Sequence, residues 1–274
     1  MEEKMSKPGH SFLIVLYNQK LSESAAYRDL SPQLTEIDNL IIYDNSPTVM
    51  RDIPVTGMIY LHDPTNGGLA TAYNAAVKKT RVMDNQWLTI FDQDTRIPDD
   101  FNYHLSLAIA SHEKSSVLIP SVKLEDGRKL SPFWIEDALF VHYPAGASKT
   151  LAAINSGMTL NLASFPTGKE LFDTHYGLDF LDYAFFKQLQ RSEKKPTQID
   201  VTLTQSLSLS NFRTMSQSRF ESFQLSEARF VNEFYPSFKS KYRLRVSLRL
   251  VKQLLKRVQW SKVKVMLRVI GGKN

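Results

Sequence analysis

Two carboxylates one residue apart, Asp92 and Asp94, follow directly after the apolar run 87–91. A short apolar run of this kind predicts a buried strand, and the Asp-Gln-Asp turn then places hard oxygen ligands at the carboxyl edge of a sheet. Open α/β sheets bind ligands at this edge, where a divalent cation can bridge carboxylates to phosphates. The motif therefore favours a nucleotide-linked substrate, with a pair of solvated turn carboxylates as the alternative.

Apolar runs alternate with polar, turn-forming segments through the first 120 residues. Each run ends in residues such as Asp, Asn, Gly or Pro, which predicts strands separated by turns and helices. Strands alternating with helices at this spacing form βαβ units, so we expect an α/β fold whose parallel sheet carries helices on both faces. The predicted strands are 11–17, 40–43, 58–61 and 87–91, and the predicted helices are 69–79 and 98–111.

Beyond residue 120 the alternation is weaker. Short apolar segments predict extra strands near 133–135 and 139–143 and a late strand at 201–203. Residues 178–190 have the pattern of a helix. No internal repeat and no low-complexity linker interrupts the chain before its basic end.

Composition excludes several classes of protein. The chain has no cysteine, which rules out disulfides, thiolate metal sites and cysteine nucleophiles, and fits a reducing cytoplasm. The first nine residues lack the apolar core of a secretion signal, and no run reaches the roughly 18 apolar residues of a spanning helix. We therefore expect a cytoplasmic protein that is neither secreted by a standard signal nor integral to a membrane.

Basic residues are concentrated at one end of the chain. Residues 234–274 contain twelve Lys and Arg and no Asp or Glu, which leaves 22 basic and 28 acidic side chains in residues 1–233. The net charge of +6 thus combines a mildly acidic body with a strongly basic tail. Since a solubilising surface would mix the two signs, this division predicts a separate role for the tail.

The tail has the pattern of an amphipathic helix. Its apolar residues Leu244, Leu248, Val251, Leu255 and Val258 recur every three or four positions, and a cationic face follows the same rhythm. The residues of that face are Arg245, Arg249, Lys252 and Lys256. Such helices lie in the headgroup region of anionic membranes. Docking on the protein's own body or on a second subunit stays open, whereas nucleic acid is disfavoured because the body is acidic.

Several short motifs occur together in one order. They include 15–18 and 42–46 at the first two strand ends, 66–74 at the start of a helix, 91–95, 155–157 and 178–183. With these motifs the chain resembles a family 2 glycosyltransferase of the GT-A fold, and within that family the bacterial rhamnosyltransferases. The resemblance covers roughly residues 10–205. It implies a Rossmann-like, mostly parallel sheet in a domain over 1–233, divided into a nucleotide-sugar half (10–120) and an acceptor half (121–233), followed by the tail at 234–274.

The resemblance implies a donor site at the strand ends. Asp44 would accept hydrogen bonds from a nucleobase imide or a ribose hydroxyl, with a turn or cap residue as the alternative. Gly67 and Gly68 would let the backbone approach a ligand, and the helix that follows would favour anionic groups, with a plain turn as the alternative. The full set of expected donor-binding residues is Tyr17, Asn18, Asp44, Asn66, Gly67, Gly68, Asn74, Asp92 and Gln93.

The same resemblance implies a metal site in the Asp-Gln-Asp turn. Asp94 would coordinate the metal directly, and Asp92 would stand mainly on the ribose side and contribute to the metal site. Oxygen ligands suit Mn²⁺ or Mg²⁺, and the cation would neutralise the leaving nucleoside diphosphate. Many members of the family add a downstream histidine, but residues 204–212 contain none. The site would therefore be weak, completed by water, or completed by a hydroxyl.

Asp179 and Asp182 stand three residues apart, which on a helix would place them on one face. The resemblance assigns the general base to this segment, and the alignment favours Asp182 over Asp179. The like charge of Asp179 would tend to raise the pKa of its neighbour. A helix cap is the alternative for either carboxylate. The expected acceptor-binding residues are Ser156, Gly157 and Asp179.

These expectations combine into one function. The chain is expected to be an inverting, metal-dependent glycosyltransferase that moves L-rhamnose from dTDP-L-rhamnose to a hydroxyl of a growing, lipid-linked or oligosaccharide acceptor of a cell-surface polysaccharide. It would work at the inner face of the cell membrane, attached peripherally through its tail. The alternatives are use of a UDP-hexose such as UDP-galactose, UDP-glucose or UDP-galactofuranose, and an inactive scaffold of the same fold. Acceptor, linkage and oligomeric state, including a homodimer, stay open.

Overall fold

A computed structural model describes residues 9–54, 56–135, 149–205, 216–256 and 259–272. The predicted strand at 139–143 lies outside these ranges. The strands are β1 (His10–Leu16), β2 (Asp38–Asp44), β3 (Met58–His62), β4 (Trp87–Asp92), β5 (Thr95–Arg96), β6 (Val117–Leu124), β7 (Lys129–Ser131), β8 (Phe133–Trp134), β9 (Leu151–Ala152), β10 (Thr159–Asn161) and β11 (Thr197–Gln205). The helices are α1 (Ala25–Leu30), α2 (Gly68–Val82), α3 (Phe101–Ser111), α4 (Leu181–Arg191), α5 (Gln217–Phe234), α6 (Lys239–Lys256) and α7 (Trp260–Ile270).

The main sheet has the strand order β3-β2-β1-β4-β10-β6-β11-β5, and β7 pairs with β6. The first four strands are parallel, as predicted. The second half of the sheet differs, because β10 lies antiparallel between β4 and β6 and β5 lies antiparallel to β11. A strand as short as β10 carries too little periodicity to be recognised in the sequence. Strands β4, β6 and β11 nevertheless all point the same way, so their carboxyl ends share one edge with those of β1, β2 and β3.

Side chains of the central strands alternate between two cores. Leu13 and Val15 of β1 face one core, and Phe12 and Ile14 face the other. Helices α2, α4 and α5 cover the first face, and α1 and α3 cover the second. The predicted arrangement of a sheet with helices on both faces is therefore confirmed. Because both faces are covered, the interiors of β2 and β4 carry no charged side chain, and their aspartates lie at strand ends.

Helices α6 and α7 pack against α5 and contribute to the same core. The buried residues of α6 are Tyr242 and Val246, and a buried polar cluster supports them. Arg249 forms a two-pronged ion pair with Glu227 of α5, whose carboxylate also accepts a hydrogen bond from the Tyr242 hydroxyl at 3.2 Å. The sequence pattern placed Arg249 on an exposed cationic face. That prediction is wrong, because α6 turns this residue toward the acidic side chain of α5.

Gly157 offers a test of how tightly the sheet is packed behind β4. It has a φ of 84°, and a Cβ atom there would lie 2.4 Å from Leu203 Cδ1. Gly127 has nearly the same φ, 83°, but no atom within 4 Å of the same position. We expect Gly127→Ala to lower the free energy of unfolding by about 1–2 kcal/mol through backbone strain alone. Gly157→Ala should lower it by a further ~1–3 kcal/mol through overpacking.

Denaturant unfolding of the two variants and the wild type measures this difference. The two substitutions have the same chemistry, so Gly127→Ala is the matched control for backbone conformation. Equal losses in the two variants would contradict the close packing of Gly157 against Pro120 of β6 and Leu203 of β11.

Candidate functional site

The predicted site residues at the strand ends do meet at one sheet edge. Leu16, the last residue of β1, is paired with Asp44 at the end of β2, and Val15 is paired with Asp92 at the end of β4. Tyr17 and Asn18 continue from β1 between them. The parallel register alone brings these segments together, since parallel neighbours end at the same edge.

Asp92 and Asp94 are neighbouring carboxylates with raised pKa values, and Gln205 hydrogen-bonds to Asp92. Burial, followed by the charge of Asp94, raises the pKa of Asp92 to about 6, although a hydrogen bond from Gln205 Nε2 to Asp92 Oδ2 at 3.1 Å opposes the shift. Burial likewise raises the pKa of Asp94. Gln205 ends β11 opposite Thr95, so the sheet itself delivers its amide to the turn. Gln205 lies within residues 204–212, where the family has its histidine, but no sequence motif identifies it as a partner of the aspartates.

Asp182 lies in the first turn of α4 and faces the same edge. Burial raises its pKa to about 7 against the backbone hydrogen bonds that it accepts, and the charges of Asp179 and Asp92 add to the rise. The Tyr183 backbone N–H donates to Asp182 Oδ1 at 2.8 Å. The expected influence of Asp179 on the pKa of Asp182 is confirmed in direction. Asp182 thus combines a near-neutral pKa with proximity to the Asp-Gln-Asp turn.

Tyr73 of α2 lies between the two acidic groups. Its ring is fully buried, and burial followed by the charges of Asp92 and Asp182 raises its pKa well above the usual value. Its hydroxyl lies near the Asn155 side chain without a hydrogen bond of ordinary geometry. Three buried oxygens around the carboxylates have no hydrogen-bond partner among the described residues: Tyr73 Oη, Asn155 Oδ1 and Gln205 Oε1. Unpaired buried polar atoms are uncommon, and here two of them belong to residues that interact with Asp92: Tyr73 and Gln205.

Asp179 is held by an ion pair. Both of its oxygens accept from the Arg219 guanidinium, and the Arg219 Nη2 to Oδ1 distance is 2.8 Å. Burial still raises the pKa of Asp179, with Arg219 opposing. Asp179 precedes α4, and Phe180 has a φ of 63°, so the two aspartates do not share a helical face as expected. Because Arg219 occupies both oxygens of Asp179, Asp182 is the better placed of the two to accept a proton.

Asp44 does not offer a free carboxylate to a ligand. It is fully buried, and its oxygens accept from Ser46 N at 2.9 Å, Met50 N at 2.8 Å and the Tyr60 hydroxyl at 2.5 Å. Burial alone would raise its pKa, but these hydrogen bonds outweigh burial and lower it. The expected contact of Asp44 with a nucleobase or ribose is therefore corrected. The carboxylate shapes the loop after β2, and the loop presents other groups to the site.

The segments after β1 and β4 are joined by reciprocal hydrogen bonds. Tyr17 N donates to Gln93 Oε1 at 2.7 Å, and Gln93 Nε2 donates to Tyr17 O at 3.3 Å. Asn18, with a φ of 50°, donates its N–H to Ser46 Oγ at 2.8 Å. Gln93 thus fixes the edge of the site, whereas the Tyr17 ring, 48% exposed, is free to contact a ligand.

The Asn-Gly-Gly turn is used partly for internal packing. Gly68, with a φ of 86°, lies so close to Gly177 that a Cβ atom would be 2.7 Å from the Gly177 oxygen. The close backbone approach expected for a ligand is therefore made by the protein's own chain at this position. Asn66 and Gly67 are exposed, although the Gly67 N–H donates to Asp63 Oδ2 at 2.9 Å and its carbonyl accepts from Thr71 Oγ1 at 2.7 Å. The turn brings the 173–179 segment, and with it α4, to the sheet edge.

The expected role of Asn74 in donor binding is also corrected. Its side chain is buried and makes three hydrogen bonds to the backbone of Leu171 and Phe172, at 2.8 to 3.1 Å. Because the amide is buried and bonded to this segment, it has no surface with which to contact a donor sugar. Asn74 instead clamps the segment that leads to Asp179 and Asp182.

The expected acceptor-binding residues Ser156 and Gly157 also lie behind the site. Ser156 is fully buried, and its Oγ accepts from Asp92 N at 3.1 Å and pairs with Thr95 Oγ1 at 2.6 Å. Gly157 N donates to Ile90 O at 2.7 Å. These residues support the Asp-Gln-Asp turn from within and have no surface with which to meet an acceptor, which corrects their assignment.

A cavity of about 600 Å³ lies on the far side of Asp179, between the 175–177 segment and α5. Its lining is polar and mixed in charge. The residues are His175, Gly177, Ser222, Leu225, Ser226, Arg229, Asn232 and Glu233. Arg219, which holds Asp179, lies one turn before Ser222 on α5, so the residue that fixes Asp179 and one residue of the cavity lining belong to the same helix.

The donor set for a metal is limited. Within the described ranges, no three His, Cys, Asp or Glu side chains form a group that could hold a metal ion. Asp92 and Asp94 supply carboxylate oxygens, and the unpaired Gln205 Oε1 adds an amide oxygen beside them. Such an oxygen-only set suits a hard cation that shares its remaining positions with water or phosphate. Most of the segment without histidine, residues 206–212, lies outside the described residues.

No protein-family model matches the sequence, and no curated protein is a significant match. Solved structures do match. The chain superposes on S. aureus TarS with a TM-score of 0.55 at 12% identity, covering 97% of this chain and 48% of that chain. The chain therefore spans about half the length of that structure.

Two structures of a TarS fragment, residues 1–349, match similarly. One contains UDP (TM-score 0.53, 12% identity, 96% of this chain and 81% of that chain), and one contains UDP-GlcNAc (0.54, 12%, 97% and 80%). At this identity the likeness shows the fold alone. The predicted GT-A class, a mixed α/β sheet flanked by helices with a C-terminal helical extension, is confirmed.

The raised pKa of Asp182 makes stability depend on pH. An unfolded aspartate titrates near pH 4 and the folded one near pH 7, so between these values the folded state binds a proton that the unfolded state has released. Stability should therefore fall as the pH rises through this window. Asp182→Asn removes this dependence, so its gain in thermal midpoint over the wild type should be larger at about pH 8 than at about pH 5.

Thermal unfolding without divalent cations, at both pH values, measures the difference. Asp99→Asn, at an exposed turn, is the control. An Asp182→Asn gain that is the same at both pH values would contradict the raised pKa.

Proposed function

We propose that this protein is an inverting glycosyltransferase that moves a sugar from a nucleotide donor to an acceptor hydroxyl. The observation that carries the proposal is the convergence of Asp92, Asp94 and Asp182, all with raised pKa values, at the carboxyl edge of the sheet. The fold supports it, because TarS is a family 2 glycosyltransferase whose crystals contain UDP and UDP-GlcNAc. In such a site Asp92 and Asp94 would bind the donor diphosphate through a cation, and Asp182 would accept the proton of the acceptor hydroxyl. Glycosyl transfer requires both functions.

Asp182 is the proposed general base. The acceptor oxygen forms a bond to the anomeric carbon as the bond from that carbon to the diphosphate oxygen breaks, and the hydroxyl proton passes to an Asp182 oxygen. The nucleoside diphosphate leaves with the electron pair. A base is most effective when its pKa lies near the working pH, and the pKa of Asp182 is about 7. Attack from the side opposite the leaving group inverts the configuration.

Asp92 and Asp94 are proposed to hold Mn²⁺ or Mg²⁺, with Asp94 as the direct ligand. The fit rests on three features of the site: two carboxylates whose negative charge is uncompensated, oxygen-only donors, and the unpaired Gln205 Oε1. When bound, the cation would supply positive charge to the departing diphosphate. Asp92 also stands where the ribose of the donor would lie, as the resemblance implies. Gln205 orients Asp92 through its Nε2 donor.

The donor is proposed to be dTDP-L-rhamnose, on the resemblance to bacterial rhamnosyltransferases. A UDP-sugar is the second candidate, favoured by the nucleotides found in TarS crystals. An inactive scaffold is the third, since the described residues offer no histidine beside the aspartates. The near-neutral pKa of Asp182 weighs against it, because a carboxylate that merely capped a helix would gain nothing from burial beside other acids.

The acceptor is proposed to enter along α5. The cavity next to Asp179 presents hydroxyl, amide, guanidinium and carboxylate groups, which together can donate to and accept from the many hydroxyls of an oligosaccharide. Ser222, Arg229 and Asn232 are therefore the proposed acceptor-binding residues, in place of Ser156 and Gly157. A growing cell-surface polysaccharide, free or lipid-linked and met at the inner face of the membrane, suits such an open, polar groove.

Donor and metal binding provide the first test. We expect one or more members of a panel of dTDP- and UDP-sugars to raise the thermal midpoint of the protein, and to raise it further with Mn²⁺. Asp94→Ala should abolish the Mn²⁺-dependent part, because the diphosphate charge then goes uncompensated. Asp99→Ala, at an exposed turn nearby, is the control.

Calorimetry with Mn²⁺ and the best nucleoside diphosphate gives the same comparison as affinities. Binding that depends on Mn²⁺ equally in the wild type and in Asp94→Ala would remove Asp94 from the site. A wild type that binds no member of the panel would contradict the proposed function itself.

Turnover provides the second test. Asp182→Asn keeps the size of the side chain but cannot accept a proton, so transfer should slow by roughly 10²- to 10⁴-fold while donor affinity is unchanged. Asp179→Asn weakens the ion pair with Arg219 and should act mainly on the acceptor side, as a higher KM. Initial rates with an acceptor present, with donor hydrolysis subtracted, separate the two effects. Full activity in Asp182→Asn together with a strong loss in Asp179→Asn would transfer the base to Asp179.

A further inference from the structure

The outer surface of α6 and α7 is apolar and exposed. The stripe predicted from the sequence is largely in solvent, with exposed fractions of 62% for Leu244, 63% for Leu248 and 81% for Leu255. Trp260 and Leu267 of α7 are also exposed. No described helix is long and apolar enough to cross a bilayer. Exposed apolar side chains clustered on one surface indicate a partner, whereas single ones do not.

The stripe is exposed because α6 docks with its opposite side. Tyr242, Val246 and Arg249 recur at intervals of four and three and face α5, where Glu227 receives Arg249. At about 100° per residue, Leu244, Leu248 and Leu255 lie roughly half a turn away from this face. The predicted alternative in which the apolar stripe docks on the protein's own body is therefore wrong for these residues.

Basic side chains without an acidic partner flank the stripe. Lys241, Arg243 and Lys252 are exposed, and within the described part of the chain none of them forms an ion pair with an acidic side chain. The acidic residues of α5 nearest the tail are already used, since Glu227 pairs with Arg249 and Glu221 pairs with Arg268 at 3.0 Å. The surface therefore combines exposed leucines with uncompensated positive charge.

We propose that this surface, formed by α6 and α7, lies in the headgroup region of an anionic bilayer. Leucines and Trp260 would enter the acyl boundary, and Lys241, Arg243 and Lys252 would contact lipid phosphates. A second copy docked on the same face would bring two sets of like charges together, which opposes a symmetric dimer. Nucleic acid would neutralise the cations but leave the leucines in water.

This inference goes beyond sugar transfer and does not depend on it. It has a consequence for the site, because α5 contacts both the membrane-facing helices and Asp179. Glu221 of α5 holds Arg268 of α7, and two residues earlier Arg219 holds Asp179. A tail lying on the bilayer would thus keep the cavity along α5 close to the membrane surface.

Flotation of the full chain with vesicles tests the proposal. We expect recovery with phosphatidylcholine vesicles that contain phosphatidylglycerol, little recovery with phosphatidylcholine alone, and a fall in recovery as salt rises. The triple variant Lys241→Gln, Arg243→Gln, Lys252→Gln should bind about 100-fold more weakly, as expected for the loss of three cations at an anionic surface. Its matched control replaces three exposed lysines of the body: Lys114→Gln, Lys123→Gln and Lys129→Gln.

The apolar stripe is tested by Leu244→Gln, Leu248→Gln, Leu255→Gln, with Val82→Gln, an exposed apolar residue on α2, as its control. We expect the leucine variant to lose vesicle binding and keep the thermal midpoint of the wild type. Equal recovery on neutral and anionic vesicles, or unchanged binding in both triple variants, would overturn the proposal. Light scattering that shows a wild-type dimer, a monomeric leucine variant and no vesicle binding would assign the face to a second copy. If the leucine variant does not fold, the charge variant decides.

Discussion

Three carboxylates, those of Asp92, Asp94 and Asp182, lie at one sheet edge, and burial raises the pKa of each. Their proximity has a cost in free energy. Burial disfavours the ionised form of each carboxylate, and the negative charge of one makes the next harder to ionise. Neighbouring side chains hold Asp92 in place. Ser156 fixes the backbone of Asp92 and Gln205 fixes its carboxylate. Raised pKa values of this kind are a common property of catalytic sites, and they are the basis of the proposed cation site and the proposed general base.

The ion pair between Asp179 and Arg219 extends this arrangement outward. It ties the segment before α4 to the first turn of α5, and Glu227 and Glu221 of the same helix tie α5 to the basic tail. A single helix therefore contacts Asp179, lines the polar cavity and carries the exposed surface of α6 and α7. Partly buried, two-pronged ion pairs resist being broken because either partner alone would be left desolvated. These ion pairs fix the position of α5, as the proposed acceptor site along this helix would require.

The corrections to the expected site have one physical origin. Three of the expected ligand-binding side chains lie close to the carboxyl edge of the sheet but form hydrogen bonds within the protein. They are Asp44, Asn74 and Ser156. Motif resemblance identifies positions near a site but does not separate groups that touch a ligand from groups that hold the loops. Gln205 shows the reverse case, since a residue with no motif of its own reaches Asp92 only because β11 runs beside β6.

The amino-acid sequence by itself determined the secondary structure of the first half of the chain, the parallel direction of strands β1 to β4, and the position of Asp92 at the end of a strand. These depend on local periodicity and on turn-forming residues, both of which can be read within a few positions. The tertiary structure alone decided that β10 enters the sheet antiparallel, that Arg219 occupies Asp179, and that α6 buries Arg249 while exposing its leucines. Each of these outcomes is a choice between partners far apart in the chain, and the free energy of such a choice depends on which surfaces meet, which no local pattern records.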